Sequence, residues 1–284
     1  MKVLAIVASA RKTGNSEILA KEMLASLPDS VEKRMICLAE LNIEPCRACY
    51  ACLPTGCDCV IQDDFSSFLR QLRAADAVIL SSPVYFLGMH TRLKLICDRL
   101  ISVLNEADKY AGRRCVVTVP YGVAGWQGYG VEATVSFARF LHLDVVGVLP
   151  VHAANPGEAV RSEVLNAARG MAERLIVGEE ENFAADVSQG LESGDITCAF
   201  CGSGLVRLRK NGEVRCAICD ARGLVDFGRE EAGPSCRWEE PAHFRYSGAG
   251  MKEHAELLES IKRDFISRRH ELADCRAPYR KLQW

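Results

Sequence analysis

Residues 2 to 8, KVLAIVA, form an unbroken apolar run. A strand covered on both faces reads this way, whereas a strand with one wet face alternates apolar and polar residues. The segment after it has a different period. From Ser16 to Leu27, residues Ile18, Leu19, Met23, Leu24 and Leu27 recur at helical spacing, Asn15 or Ser16 is available as a cap, and Pro28 follows the end. The same succession predicts strands near 33–38 and at Ala77–Ser81, Arg114–Val119 and Leu143–Leu149. It predicts helices at about Asp63–Arg73, His90–Leu104, Glu132–Phe140 and Glu158–Val177. Strict alternation of strand and helix implies an α/β fold, a doubly wound five-stranded parallel sheet with helices on both faces.

This pattern stops near Ile176, where an acidic stretch, GEEEN, opens weakly periodic sequence up to Asp195. The expected division is an α/β domain over 1–178, a linker over 179–194, a four-cysteine unit over 195–228 and an extension over 229–284. The extension contains an amphipathic helix from Met251 to about Leu272, with Leu258, Ile261, Phe265 and Leu272 on one side, which packs on the chain or across a subunit interface. A net charge of −2 supplies no field for gathering nucleic acid. Arg207, Arg209 and Lys210 make a basic hairpin without interleaved aromatics, which reads as a solvated face. No stretch approaches the ~20 apolar residues of a membrane span. MKVLAIVASA imitates a secretory leader, but its apolar run is short and a single lysine precedes it, so the chain reads as cytoplasmic.

Nine of the fourteen cysteines lie in two tight groups, the spacing of metal or redox sites in a cytosolic chain. Cys46, Cys49 and Cys52 are spaced CxxCxxC, with Cys57 and Cys59 close behind. Successive turns of this kind direct sulfurs to one centre, as iron-sulfur clusters need. Zinc, or a metal-free thiol pair, is the other reading, and either Cys57 or Cys59 can supply the fourth ligand. Cys198, Cys201, Cys216 and Cys219 have the CxxC, fourteen residues, CxxC spacing of a zinc ribbon. LVRLRKNGEVR makes the hairpin between its knuckles. Four thiolates accept zinc or a rubredoxin-type iron.

Two loops after predicted strands carry the remaining chemistry. Ser9, Arg11, Gly14, Asn15 and Ser16 run straight into a helix, where backbone N–H groups, hydroxyls and a guanidinium suit a phosphate. The loop has neither the lysine ending of a nucleotide P-loop nor GxGxxG, which favours a mononucleotide. Pro83, Val84, Tyr85, Phe86 and Leu87 place apolar and aromatic surface at the end of the third strand, where a tricyclic ring can lie. Tyr121 and Gly122, in the loop Pro120 to Trp126, close over it. Taken singly, the first loop also reads as a helix-capping turn and the second as packing. His90, His142 and His152 read as structural, and no side chain is assigned as catalytic.

SARKTGNS and SSPVYFLGMHTRLKLICDR, in this order, resemble the phosphate and flavin-ring loops of the NADPH-dependent FMN reductase-like branch of the flavodoxin superfamily, over about residues 1–175. PCRACYACLPTGCDCVIQDDF is similar to the cysteine motif of the iron-sulfur flavoprotein family within that branch. The resemblance implies a flavodoxin-like fold, non-covalent FMN on the two loops, and a homodimer or homotetramer whose partner subunit helps cover the flavin. It also implies a [4Fe-4S] cluster on Cys46, Cys49, Cys52 and Cys59, the last because VIQDD follows it; Cys57 departs from a single fourth cysteine. The activity implied is an oxidoreductase between NAD(P)H or a ferredoxin-like donor and a small or protein acceptor. An electron carrier or redox sensor that docks a partner is the alternative.

Overall fold

The structure is a computed structural model that describes residues 1–53, 58–176, 196–227, 235–241 and 244–280. Cys57 and the linker expected at 179–194 lie outside the described residues. Along the first part of the chain come β1 (Lys2–Val7), α1 (Asn15–Ser26), β2 (Glu32–Cys37), α2 (Phe65–Arg73) and β3 (Ala77–Ser81). A small hairpin, β4 (Val84–Tyr85) and β5 (Gly88–Met89), leads into α3 (Thr91–Cys97) and the single turn α4 (Ala107–Tyr110). β6 (Arg114–Tyr121), α5 (Gly130–Phe140), β7 (Asp144–His152) and α6 (Ser162–Arg174) complete the unit.

Five strands pair in parallel in the order β2-β1-β3-β6-β7. This is the flavodoxin order. The apolar runs behave as their lack of alternation requires, since both faces of the central strands are covered. Leu4, Ile6, Leu80 and Val117 point to one side, into a core with Phe65, Phe68, Leu93, Ile96 and Phe137 from α2, α3 and α5. Val3, Ala5, Val7, Ile79 and Val116 point to the other, against Leu19 and Met23 of α1 and Ala168 and Met171 of α6. Successive residues of a strand face opposite ways, so one run feeds two cores. The order reverses at β1 and β3, and the loops leaving their carboxyl ends part to form a crevice.

Several boundaries differ from the sequence expectation. The helix expected over His90–Leu104 stops at Cys97 and continues only as a 3₁₀ turn at Leu100–Val103, because Arg99 turns into the core rather than along the helix surface. The last helix starts at Ser162, since Gly157 at φ 91° breaks the chain into a 3₁₀ turn first. Neither Asn15 nor Ser16 caps α1; Gly14 holds the cap position with no side-chain bond.

The C-terminal part has a four-stranded antiparallel sheet of β8 (Val206–Leu208), β9 (Glu213–Cys216), β10 (Arg222–Asp226) and β11 (Ser235–Trp238). Two helices follow, α7 (Gly248–Ser267) and α8 (Arg269–Arg280), so the single helix expected to about Leu272 is broken near Arg268. Met251 and Ala255 of α7 are buried against Leu53 and Leu104, with Leu258 partly covered. Ile261 and Phe265 are about half exposed, at 48% and 47%, so the chain itself covers only the first half of the apolar side. Among the described residues, no helix is long and apolar enough to cross a membrane.

Candidate active site and metal centres

The crevice at the carboxyl edge of the sheet is a cleft of about 450 Å³. Small-molecule sites occupy roughly 300–1,000 Å³. Ser9, Arg11, Gly14, Asn15 and Ser16 line it from the first loop, Pro83, Val84, Tyr85, Phe86 and Leu87 from the second, and Tyr121 and Gly122 from the loop after β6. All twelve residues singled out in the sequence for a mononucleotide thus meet in one cavity. Pro120, Val123, Trp126, Ala153 and Ala154 line it as well. The two alanines, just past β7, went unnoticed because a pair of alanines carries no chemical signal.

Asn15 works differently from a cap. Its amide donates to the carbonyls of Ala153 (3.2 Å) and Asn155 (2.9 Å), and its Oδ1 accepts from the amides of Gly157 (2.9 Å) and Ala159 (3.3 Å). One side chain therefore locks the loop after β7 to the start of α1. Ser9 Oγ accepts from the Arg11 amide at 3.1 Å, which bends the first loop back toward the cleft. Ser16 is buried at 2% exposure, while Arg11 is exposed.

The second loop is a two-residue hairpin whose tip, Phe86 and Leu87, has φ of 49° and 64°. Glycine or asparagine ordinarily fills such positions. Two bulky residues there cost about 1–3 kcal/mol each, and they place Phe86 99% exposed at the mouth. A backing loop holds the hairpin in place: the Tyr129 amide donates to the Leu87 carbonyl at 2.8 Å. Gly128, at φ 54°, sits so close that an added Cβ would lie 2.4 Å from that same oxygen. His90 is structural: its Nδ1 accepts from the Arg92 amide at 3.1 Å and its ring lies 4.9 Å from Tyr85. Burial, with Arg92 nearby, holds its pKa below the ordinary range.

In the cysteine loop, Cys46 and Cys49 are exposed and Cys52 and Cys59 half-buried. Burial raises the Cys52 thiol, and charge on Cys59, Cys49 and Cys46 raises it further, so the four share one neighbourhood. They do not close to single-ion distances: among the described residues, the ribbon's Cys198, Cys201, Cys216 and Cys219 alone gather their ligand atoms within 4.8 Å of one another. Cys198 and Cys219 are 3.5 Å apart, Cys201 and Cys216 3.4 Å. Tetrahedral Zn–S bonds of about 2.3 Å put sulfurs about 3.8 Å apart. The ribbon sulfurs therefore suit one tetrahedral ion and are too tight for a multi-iron cluster. Hydrogen bonding with Cys201 draws the Cys198 thiol below its ordinary range and drives the Cys201 thiol above it, so the packed sulfurs share their protons.

The ribbon docks on α5. Arg139, buried at 8% exposure, donates to the Phe200 carbonyl at 3.4 Å. Burial lowers its pKa, while charge on Cys201, Cys219 and Cys198 opposes that shift. Glu132, seven residues earlier on α5, has its carboxyl pushed up by burial, which the Gly204 backbone opposes.

The sequence profile described as NADPH-dependent FMN reductase matches residues 1–154. The chain belongs to that family. Both the cleft and the cysteine loop of this family member fall inside the matched stretch; the ribbon and terminal helices lie beyond it. An iron-sulfur flavoprotein of Methanocaldococcus jannaschii is 39% identical over 100 residues, 35% of this chain and 51% of that protein. One from Archaeoglobus fulgidus is 33% identical over 140 residues, 47% and 63% of the two chains. A third, from Methanosarcina thermophila, is 31% identical over 145 residues, 50% and 74%. The chain thus spans about half to under two-thirds of the first two relatives' length. A solved flavone reductase matches with a TM-score of 0.73, covering 100% of this chain and 98% of that one at 18% identity. At that identity the likeness concerns the fold.

The site of this reductase-family chain fits the family's cofactor. An apolar hairpin from Pro83 to Leu87 and a polar corner of Ser9, Ser16 and Arg11 at a helix N-terminus line the same cleft, the two halves that a flavin ring and a phosphate need.

Proposed function

We propose that this chain is an FMN-dependent oxidoreductase with a [4Fe-4S] cluster on Cys46, Cys49, Cys52 and Cys59, moving electrons between NAD(P)H or a ferredoxin-like donor and a small or protein acceptor. The observation that carries this reading is the single cleft at the β1–β3 switch point, lined by phosphate-type and ring-type residues together. When bound there, FMN supplies hydride and one-electron chemistry. Ser9, Ser16 and Arg11 bind the phosphate, and Pro83 to Leu87 with Tyr121 and Gly122 orient the ring. Asn15 holds the loop after β7, which walls the same cleft, to the start of α1. The family resemblance in the cysteine motif supports the cluster, and the relatives' names agree with it.

Tyr85, Phe86 and Trp126 stand 50%, 99% and 66% exposed around the mouth. A contiguous apolar rim of this kind belongs at an interface, and we assign it to a second copy in a homodimer or homotetramer. The ribbon holds zinc as a structural ion, with rubredoxin-type iron as the outcome that metal analysis would reveal instead. Exposed Cys46 and Cys49 favour one further reading, a carrier that hands electrons to a docked protein.

Anaerobically reconstituted protein mixed with NADPH or NADH and a water-soluble quinone separates the two. Many turnovers of nicotinamide per chain are expected. Flavin reduced only by a protein donor, with no turnover, would support the carrier and contradict the oxidoreductase.

A further inference from the structure

A buried ion pair shuts the cysteine loop. Arg99 is 1% exposed, and its guanidinium pairs with Asp63, whose side chain is 0% exposed. The Asp63 carboxylate accepts the amides of Glu44 (2.7 Å) and Phe65 (3.1 Å). Arg99 donates to the carbonyls of Glu44 (3.3 Å) and Ile61 (3.5 Å) and lies over the Phe65 ring at 4.2 Å. Glu44 precedes Cys46, and Ile61 follows Cys59. One guanidinium and one carboxylate thus tie both ends of the segment that carries the candidate ligands.

Two further observations point from this clip to what the loop holds. The Arg99 guanidinium bonds the Ile61 carbonyl, two residues along the chain from Cys59, and charge on the Cys59 sulfur favours it. Arg99 Nε, also buried, has no partner among the described residues, so the group keeps a donor in reserve. A guanidinium stays charged at every working pH, and burying it is unfavourable unless its donors are used and its charge is met. Asp63 meets the charge once. A thiolate that holds iron on Cys59 meets it again.

We propose that Arg99, anchored by Asp63, is the positioning residue of the iron-sulfur centre: it closes the loop from Glu44 to Asp63 and donates to the Cys59 sulfur, fixing Cys59 as the fourth ligand. The inference rests on reading the cysteines as a cluster site. Two consequences follow from the chemistry. Hydrogen bonds and positive charge at a cluster sulfur favour the more negative reduced state, so the potential is raised. Partners of metal ligands also govern retention, and their removal loosens metal binding by about 10- to 100-fold.

The test uses the full-length chain, reconstituted anaerobically, as wild type, Arg99→Lys and the double variant Arg99→Met with Asp63→Asn. The double variant removes both charges together and leaves no buried carboxylate unpaired. Iron per chain, the rate of iron loss to a ferrous chelator and the cluster midpoint in a redox titration are read, with FMN content alongside. The double variant is expected to hold FMN as the wild type does, to lose iron about 10- to 100-fold faster and to titrate at a lower potential. Arg99→Lys keeps the charge and loses the fork, so its iron leaves faster while the midpoint stays near the wild-type value. Unchanged iron loss and midpoint in both variants overturn the inference alone. Loss of FMN and of secondary structure together with the iron in Arg99→Lys also overturns it, because the pair is then a fold element only. A wild-type chain that takes up no iron overturns the cluster reading beneath it.

Discussion

Stripping the ribbon's metal with a strong chelator, or replacing Cys216 by serine, is expected to unfold residues 196–227 while the α/β domain stays folded. The reason is the smallness of the core. The buried apolar groups of that unit are the four cysteines, Ala221, Val214 and Val225, while Phe200, Ile218 and Trp238 are only partly covered. Leu208, Leu224 and Phe227 are exposed at 52%, 43% and 62%. So little buried surface does not offset the entropy of ordering about thirty residues. A structural four-thiolate metal contributes about 10–16 kcal/mol in comparable small modules. Arg139 adds a second effect, because charge on Cys201, Cys219 and Cys198 favours its buried guanidinium, and losing that charge weakens the ribbon's hold on α5. Hydrogen exchange reads this directly. The amides of Cys198, Gly202, Cys216 and Asp220, which donate to carbonyls within the two knuckles, are expected to lose protection on chelation, while those of β3 keep theirs. Unchanged protection in both regions would mean that the ribbon is held by packing and not by a metal.

Asn15→Ala is expected to weaken FMN binding by up to roughly 30-fold. The substitution deletes four hydrogen bonds that join α1 to the loop after β7. At a half-buried position these are together worth about 2 kcal/mol, net of water, which corresponds to roughly 30-fold in affinity. The loss reaches binding because the freed loop, which carries Ala153 and Ala154 and forms one wall of the cleft, must be re-ordered around FMN, which makes about 30-fold the upper bound. Fluorescence titration of the apoprotein with FMN checks it, with Asn15→Asp as the companion variant, which keeps the two accepted bonds and loses the two donated ones. An affinity equal to that of the wild type would show that the loop is held without Asn15.

The sheet was legible because its strands are buried on both faces, and an unbroken run such as KVLAIVA has few other uses. The cleft was legible for a related reason: in this topology the chemistry collects on the loops after β1 and β3, and those loops are short and distinctive. What stayed hidden are contacts between distant parts of the chain. Asn15 looks like a helix cap in its own neighbourhood, and its true partners lie 138 to 144 residues away. Arg99 reads as the polar end of an amphipathic helix, yet its bonds reach Glu44 and Ile61, 55 and 38 residues back. That inward turn is what ended the helix expected to run to Leu104. The left-handed tip at Phe86 and Leu87 gave no sign either, since neither residue is one that such turns select. The helix expected from Met251 to about Leu272 was placed by its periodicity, which could show neither the break near Arg268 nor that Ile261 and Phe265 remain open.

The proposed function requires one chain to carry FMN in the cleft and an iron-sulfur centre on the cysteine loop, with a separate metal in the ribbon. An anaerobic absorption spectrum with iron, zinc and FMN counted per chain tests it most directly, on the wild type and on Cys49→Ser. About four iron, one FMN and one zinc are expected for the wild type, with the iron lost and the FMN retained in Cys49→Ser. A wild-type protein that binds FMN and zinc but no iron under the same conditions would contradict the account.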